Sequence, residues 1–131
     1  MDNEPKCTID IDGTKRWILN GYYHREDGPA IDMPNGAKYW YINGLLHRED
    51  GPAIDWPDGI TIWYIKDNRH RLDGPAIIYS DGSSTSWCIN DQDVTDEIKK
   101  WATNNGIDLN NLTDVDKALI KIVWADYDGK H

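Results

Sequence analysis

The sequence has no phenylalanine, only two methionines and only two cysteines. Without Phe, aromatic burial falls to seven Trp and seven Tyr, each with a polar atom that needs a partner or water. Cys7 and Cys88 cannot build a disulfide framework, and they lack the spacing of a metal site. No apolar run approaches the length needed to span a bilayer. The start, Met1-Asp-Asn-Glu-Pro-Lys6, lacks the charged-then-apolar plan of a signal peptide. Basic residues are scarce: 14 Lys and Arg stand against 23 Asp and Glu, a net charge of −9. Such a surface repels nucleic acid and anionic membrane and attracts basic partners. These absences predict an intracellular protein with free thiols. Catalytic signatures are missing too: there is no Gly-x-Ser-x-Gly, no phosphate loop and no His-Glu-x-x-His.

What is present is repetition. His-Arg-Glu-Asp-Gly-Pro-Ala occurs at 24–30 and again at 47–53, and His-Arg-Leu-Asp-Gly-Pro-Ala follows at 70–76. The step is 23 residues each time. A turn pair recurs at the same step, as Asp12-Gly13, Asn35-Gly36, Asp58-Gly59 and Asp81-Gly82. Each is followed by a Trp (Trp17, Trp40, Trp63 and, after one extra residue, Trp87) and a short apolar stretch. A second turn pair runs Asn20-Gly21, Asn43-Gly44, Lys66-Asp67 and Asn90-Asp91.

This is the grammar of β-hairpins. Asn-Gly and Asp-Gly accept the positive φ of tight hairpin turns, and the aromatic and β-branched residues between them suit a pleated strand. Gly-Pro cannot lie inside a central strand, because proline offers no N–H to the ladder. Each unit therefore reads as strand, Asn-Gly turn, looped segment, short strand, Asp-Gly turn. The chain opens on the second half of a unit, since Cys7–Gly13 aligns with Ala30–Gly36. Stacked hairpins must supply one another's core. The Trp row is expected to provide most of it, with His24, His47 and His70 as structural partners.

The pattern stops after Asn90-Asp91, and the tail reads as a helical cap. Thr95 is the expected N-cap of a first helix, with Ile98, Trp101 and Ala102 on its apolar face and Asn104-Asn105-Gly106 as its end. Thr113 is the expected N-cap of a second. Val115, Leu119, Ile122 and Val123 form its apolar stripe, with Trp124 at the edge. The predicted fold is mainly β: a single-layer antiparallel sheet of tandem 23-residue hairpin repeats over residues 1–93, closed by a two-helix cap over 94–131.

A 23-residue unit with a Gly turn, an aromatic strand and a second Gly turn resembles the MORN repeat. The His-Arg-Glu-Asp-Gly-Pro-Ala signature is similar to a MORN-like variant found in small repeat proteins of tailed phages and large DNA viruses. The likeness covers about residues 7–93, and the tail from Val94 to Trp124 looks like the segment that often follows such repeats in phage proteins. The chain lacks the Tyr-x-Gly-x-Trp element of ordinary MORN repeats and carries Arg-Glu-Asp between His and Gly. Lipid binding, sometimes ascribed to MORN arrays, is not carried over.

The candidate binding residues lie in rows. His24, His47 and His70, each with an Asp three residues on, could be metal ligands. Equivalent atoms in stacked hairpins lie roughly 10 Å apart, too far for one ion to bridge two units. The His are instead expected to pack on neighbouring units and the Asp to cap their own Gly-Pro turns. No metal or cofactor is predicted. Arg25, Arg48 and Arg71 are expected to pair with Asp or Glu of the next unit as a charged ladder, or alternatively to bind an anion such as a nucleotide. Asp32, Asp55 and the other recurring carboxylates could mimic a nucleic-acid backbone. Tyr22, Tyr23, Tyr39, Tyr41 and Tyr64 could form an aromatic stripe on an open sheet face, suited to docking a protein.

Repetition argues against catalysis, because an active site needs different groups converging on one point. The expected function is non-enzymatic protein binding, with no direct contact to nucleic acid or membrane. The resemblance implies a phage protein acting in the cytoplasm of the bacterial host on a host protein or complex, as an inhibitor of CRISPR or another defence system. The alternatives are a nucleotide-signal sponge working through the Arg row, and a phage structural or assembly module. The open edge of the first half-unit leaves room for a homodimer.

Overall fold

The computed structural model describes residues 3–82 and 84–129. Fifteen strands precede two helices among these residues. The half-unit and first unit give β1 (Lys6–Ile9), β2 (Lys15–Leu19), β3 (Tyr22–Tyr23) and β4 (Ile31–Asp32). The next unit gives β5 (Lys38–Tyr39), β6 (Tyr41–Ile42), β7 (Leu45–Leu46) and β8 (Ile54–Asp55). The third gives β9 (Thr61–Ile62), β10 (Tyr64–Ile65), β11 (Asn68–Arg69) and β12 (Ile77–Ile78). The last gives β13 (Thr85–Ser86), β14 (Cys88–Ile89) and β15 (Gln92–Asp93), followed by α1 (Thr95–Asn104) and α2 (Asp114–Trp124).

All the pairings are antiparallel, and the architecture is the expected run of hairpins with two C-terminal helices. The ladder divides at the tryptophans. On one side a nine-stranded sheet runs β1-β2-β4-β5-β8-β9-β12-β13, with β3 also on β2. On the other, β6-β7, β10-β11 and β14-β15 are separate two-stranded ribbons. Trp40 and Trp63 lie between the strands of their units. Their N–H groups donate to Ala53 O (2.7 Å) and Ala76 O (2.8 Å), and their carbonyls accept from His47 and His70.

The turns follow sequence chemistry. In the first set Asp12, Asn35 and Asp58 each accept the N–H two residues on, at 2.9–3.1 Å. In the second set both central residues take positive φ in all four units, including Lys66 (47°) and Asp67 (67°), where the Asn-Gly signature is lost. An Asp there gains a compensating bond: Asp67 Oδ1 accepts the Leu46 N–H of the preceding unit at 2.7 Å. Asp91 likewise accepts from the Arg69 N–H and Nε.

Of the expected Trp row, Trp87 alone is a fully packed core residue. Trp17, Trp40 and Trp63 are only half-buried: each carries an arginine over its ring and lines an open cleft. Within the repeats Ala30, Ala53 and Ala76 are fully buried at the same position of successive units, and Thr14, Cys88 and Ile89 are fully buried at the two ends of the array. The main apolar cluster lies at the helical end: Trp87, Ile89, Val94, Ile98, Ile120, Trp124 and Tyr127.

The cap departs from expectation in two places. Thr95 is the first residue of α1, not its N-cap; Val94 holds that position, and Thr95 Oγ1 accepts the Trp87 N–H at 2.9 Å. In the other units that N–H goes to the alanine carbonyl, so α1 starts where a further heptapeptide loop would stand. In α2, Thr113 forms a capping box with Asp116 as its chemistry predicts. The predicted stripe, however, faces outward: Val115 is 77% and Ile122 80% exposed, with Leu119 and Val123 also exposed, while Ile120 and Trp124 are buried. Asn90 ties the end of α2 to the array, its Nδ2 donating to Ala125 O and Tyr127 O. No helix among the described residues is long and apolar enough to cross a membrane.

Candidate interaction groove

His24 Nδ1 accepts the N–H of Asn43, in the turn of the following unit, at 3.0 Å. His47 does the same for Lys66 and His70 for Asn90. Each histidine therefore latches its unit to the next. An Nδ1 that accepts must be unprotonated, which leaves Nε2 as the N–H of the neutral ring. Burial pushes the His70 imidazole below its ordinary value, favouring the neutral form.

The arginine belongs to its own unit. Arg25, Arg48 and Arg71 each lie 3.9 Å from the ring centroid of Trp17, Trp40 and Trp63. Their Nε atoms donate to Asp27, Asp50 and Asp73 at 2.8–3.0 Å, and their Nη1 atoms to the carbonyls of Pro29, Pro52 and Pro75. No Arg–carboxylate ladder between units forms along this row. The Asp of the motif holds the arginine and does not cap the Gly-Pro turn. The glycine is needed for space, since a Cβ on Gly28, Gly51 or Gly74 would sit 2.5–2.8 Å from the guanidinium carbon.

Successive loops enclose a row of clefts. The first, about 460 Å³, is lined by Trp17, His24, Arg25, Glu26, Asp27 and the segment from Asn3 to Pro5. The second, about 550 Å³, lies between two complete loops over Trp40 and Ile42. The third, about 160 Å³, is narrowed by Leu72 and by Lys121 of α2. Carboxylates rim the first two: the side chains of Glu26, Asp27, Glu49 and Asp50 are 83–87% exposed. Arg25 and Arg48 form ion pairs with Asp27 and Asp50, so the rim's uncompensated charge is that of Glu26 and Glu49.

Leu72 replaces the glutamate in the third heptapeptide. It packs against the cluster formed by Trp87, α1 and α2. The relaxed third copy is thus the loop that receives the cap. Asp73 beside it stays below the usual carboxylate range: burial raises it, but the Arg71 hydrogen bond and the charges of Arg71 and Lys121 outweigh that.

The predicted site residues fall in separate places. Arg25, Arg48, Arg71 and the three histidines line the clefts. The tyrosines do not line them. Tyr22 is 60% exposed and packs over Gly44, and the Tyr23 and Tyr41 rings meet at 5.4 Å. Burial raises both Tyr41 and Tyr64 above the ordinary phenol value. Tyr39 accepts from the Trp56 indole, and Asp32 pairs with Lys38, both on the nine-stranded sheet with Asp55. Sequence reasoning placed Asp27 and Asp50 with the histidines and Glu26 and Glu49 beside the Arg row, but not together as a cleft rim, and it did not single out Lys121 at the closed end. The identical heptapeptides carried the first four; nothing local marked Lys121.

Among the described residues no group of three His, Cys, Asp or Glu is placed to hold a metal ion. No family model matches the chain, and neither a curated protein nor a solved structure matched it in comparison.

Proposed function

We propose that this chain is a non-enzymatic protein-binding module whose loop groove receives a basic surface of its partner. The supporting observation is the carboxylate rim of Glu26, Asp27, Glu49 and Asp50 over clefts floored by Trp17, Trp40 and Ile42. Aromatic floors supply contact area, and an acidic rim steers a basic partner and rejects acidic ones. The net charge of −9 acts in the same direction over longer range. A nucleotide sponge is the weaker reading, because each guanidinium has one face on a Trp and two donors committed within its own loop.

The finer reading follows the resemblance of the repeats to tailed-phage proteins. In it the partner is a bacterial host protein or complex, and binding antagonises CRISPR or another defence system, whose nucleic-acid-binding components carry basic grooves. The test is capture from bacterial lysates with the wild-type chain and with Glu26→Lys/Glu49→Lys. The wild type should retain a basic host component, in a manner that weakens steeply with salt, and the charge-reversed chain should lose it. Equal capture by both chains refutes the groove. Retained phage structural proteins in infected lysates, and no host component, refute the anti-defence reading.

A further inference from the structure

The two ends of the nine-stranded sheet are finished differently. At the β13 end, α1 closes the array through Thr95 and Ile98 on Trp87. At the other end, among the described residues, β1 pairs only with β2, in the register Cys7↔Trp17 and Thr8↔Arg16. It is longer than the two-residue internal strands, and all four of its residues are exposed. Ile9 is 66% exposed on it.

The pattern of bonds says which groups β1 offers outward. Asp10 N–H donates to Thr14 O, so Asp10 faces β2. Antiparallel pairs alternate, so Thr8 and Lys6 also direct their backbone groups inward. Cys7 and Ile9 therefore present their N–H and C=O at the open edge. Trp17, opposite Cys7, agrees with this phase, since its N–H points away to Ala30 O.

We infer that the open edge of β1 is a homotypic interface, at which a second copy adds its own β1 antiparallel about a two-fold axis at Thr8. In that register Cys7 and Ile9 of each copy exchange backbone hydrogen bonds, four in all by the alternation just described. Thr8 meets Thr8 of the second copy in a close non-hydrogen-bonded pair, a favourable match. Lys6 meets Asp10, whose carboxylate also pairs with Arg16 of its own chain, and the Lys–Asp match repeats a rule the array already uses. Lys38 stands opposite Asp32 and Asp55, Lys15 stands opposite Asp32, and Lys38 Nζ bonds Asp32 at 2.8 Å. A register shifted by one residue would turn the outward N–H groups away from their acceptors. The inference stands on the edge alone and is independent of the groove reading.

Sedimentation equilibrium of the full chain should give twice the 15.1 kDa chain mass. Proline at an outward position removes only an outward N–H, so Cys7→Pro should give the single-chain mass with unchanged circular dichroism, and Ile9→Pro serves if the first variant does not fold. In a Cys7→Ser background, Thr8→Cys should form an interchain disulfide on mild oxidation, and Ser80→Cys, in a turn remote from the edge, should not. A wild-type chain that sediments as a monomer overturns the inference. So does a dimer that survives a folded proline variant, or cross-linking no greater at Thr8 than at Ser80.

Discussion

The Arg48 guanidinium carbon lies over Trp40, 3.9 Å from its ring centroid, and packs close against Gly51. The sandwich is local, repeated three times, and built entirely from one unit. A lysine keeps the charge but loses the planar stack and the fork to Asp50 and Pro52. Arg48→Lys should therefore cost about 1 kcal/mol in urea unfolding, and a cycle with Trp40→Leu should show coupling of ~0.5–1 kcal/mol, as expected for a partly exposed cation–π pair.

Gly51→Ala should act through that same arginine. The added Cβ would fall 2.5 Å from the guanidinium carbon. We expect a loss of about 1–2 kcal/mol in the wild-type background, as for overpacking. In an Arg48→Ala background the substitution should be neutral or mildly stabilising, because alanine restricts the unfolded chain. Denaturation midpoints of the four chains decide this.

Leu72→Glu would restore the full heptapeptide and place a carboxylate against the Trp87–Ile98–Trp124 cluster. The expected cost is about 1–3 kcal/mol. The reverse change at the equivalent exposed position, Glu49→Leu, should shift stability by less than ~0.5 kcal/mol. Thermal or chemical unfolding of both variants checks the contrast.

Asn90 and Asn43 share a turn position and a positive φ of 51°. Only Asn90 also holds the end of α2, through Ala125 O and Tyr127 O. Glycine preserves the turn in each case. Asn90→Gly should thus cost about 1 kcal/mol more than Asn43→Gly, with the excess appearing as faster amide exchange at the end of α2.

The latch at His70 makes stability pH-dependent. Its folded-state pKa lies below the ordinary value of 6.5, so the unfolded chain binds more protons than the folded chain below that pH. Its contribution is fully present above 6.5 and declines as pH falls toward the folded value. Urea midpoints measured on either side of 6.5 should drop on the acid side, and His70→Gln should flatten that part of the profile. Asp73 and Asp91, both held low by arginine, lose their contribution only below their ordinary value of 3.8.

Sequence reasoning read the hairpins well because turn chemistry is local. Asp-Gly and Asn-Gly pairs mark each reversal, and Thr113 with Asp116 marks the start of α2. It failed where two answers share one period. Val115, Leu119 and Ile122 make one helical stripe and Ile120 and Trp124 another; only the docking of α2 on the array chooses between them. It overrated the large rings and overlooked Ala30, Ala53 and Ala76, whose value is a side chain no larger than a methyl group at fully buried positions. The arginine stack was invisible for a related reason. Charge pairing looks alike within and between units until the loop geometry is known.

The helix that closes the array borrows the bonds of a repeat. Trp87 gives its N–H to Thr95 and takes one from Val94, as earlier tryptophans do with an alanine and a histidine. The terminator therefore docks on the last two rungs, through Trp87 and Leu72, and is indifferent to how many rungs precede them. Extra 23-residue cassettes spliced in ahead of Leu72 lengthen the ribbon without altering its stopper, and the same stopper is portable to other ribbons of this pitch.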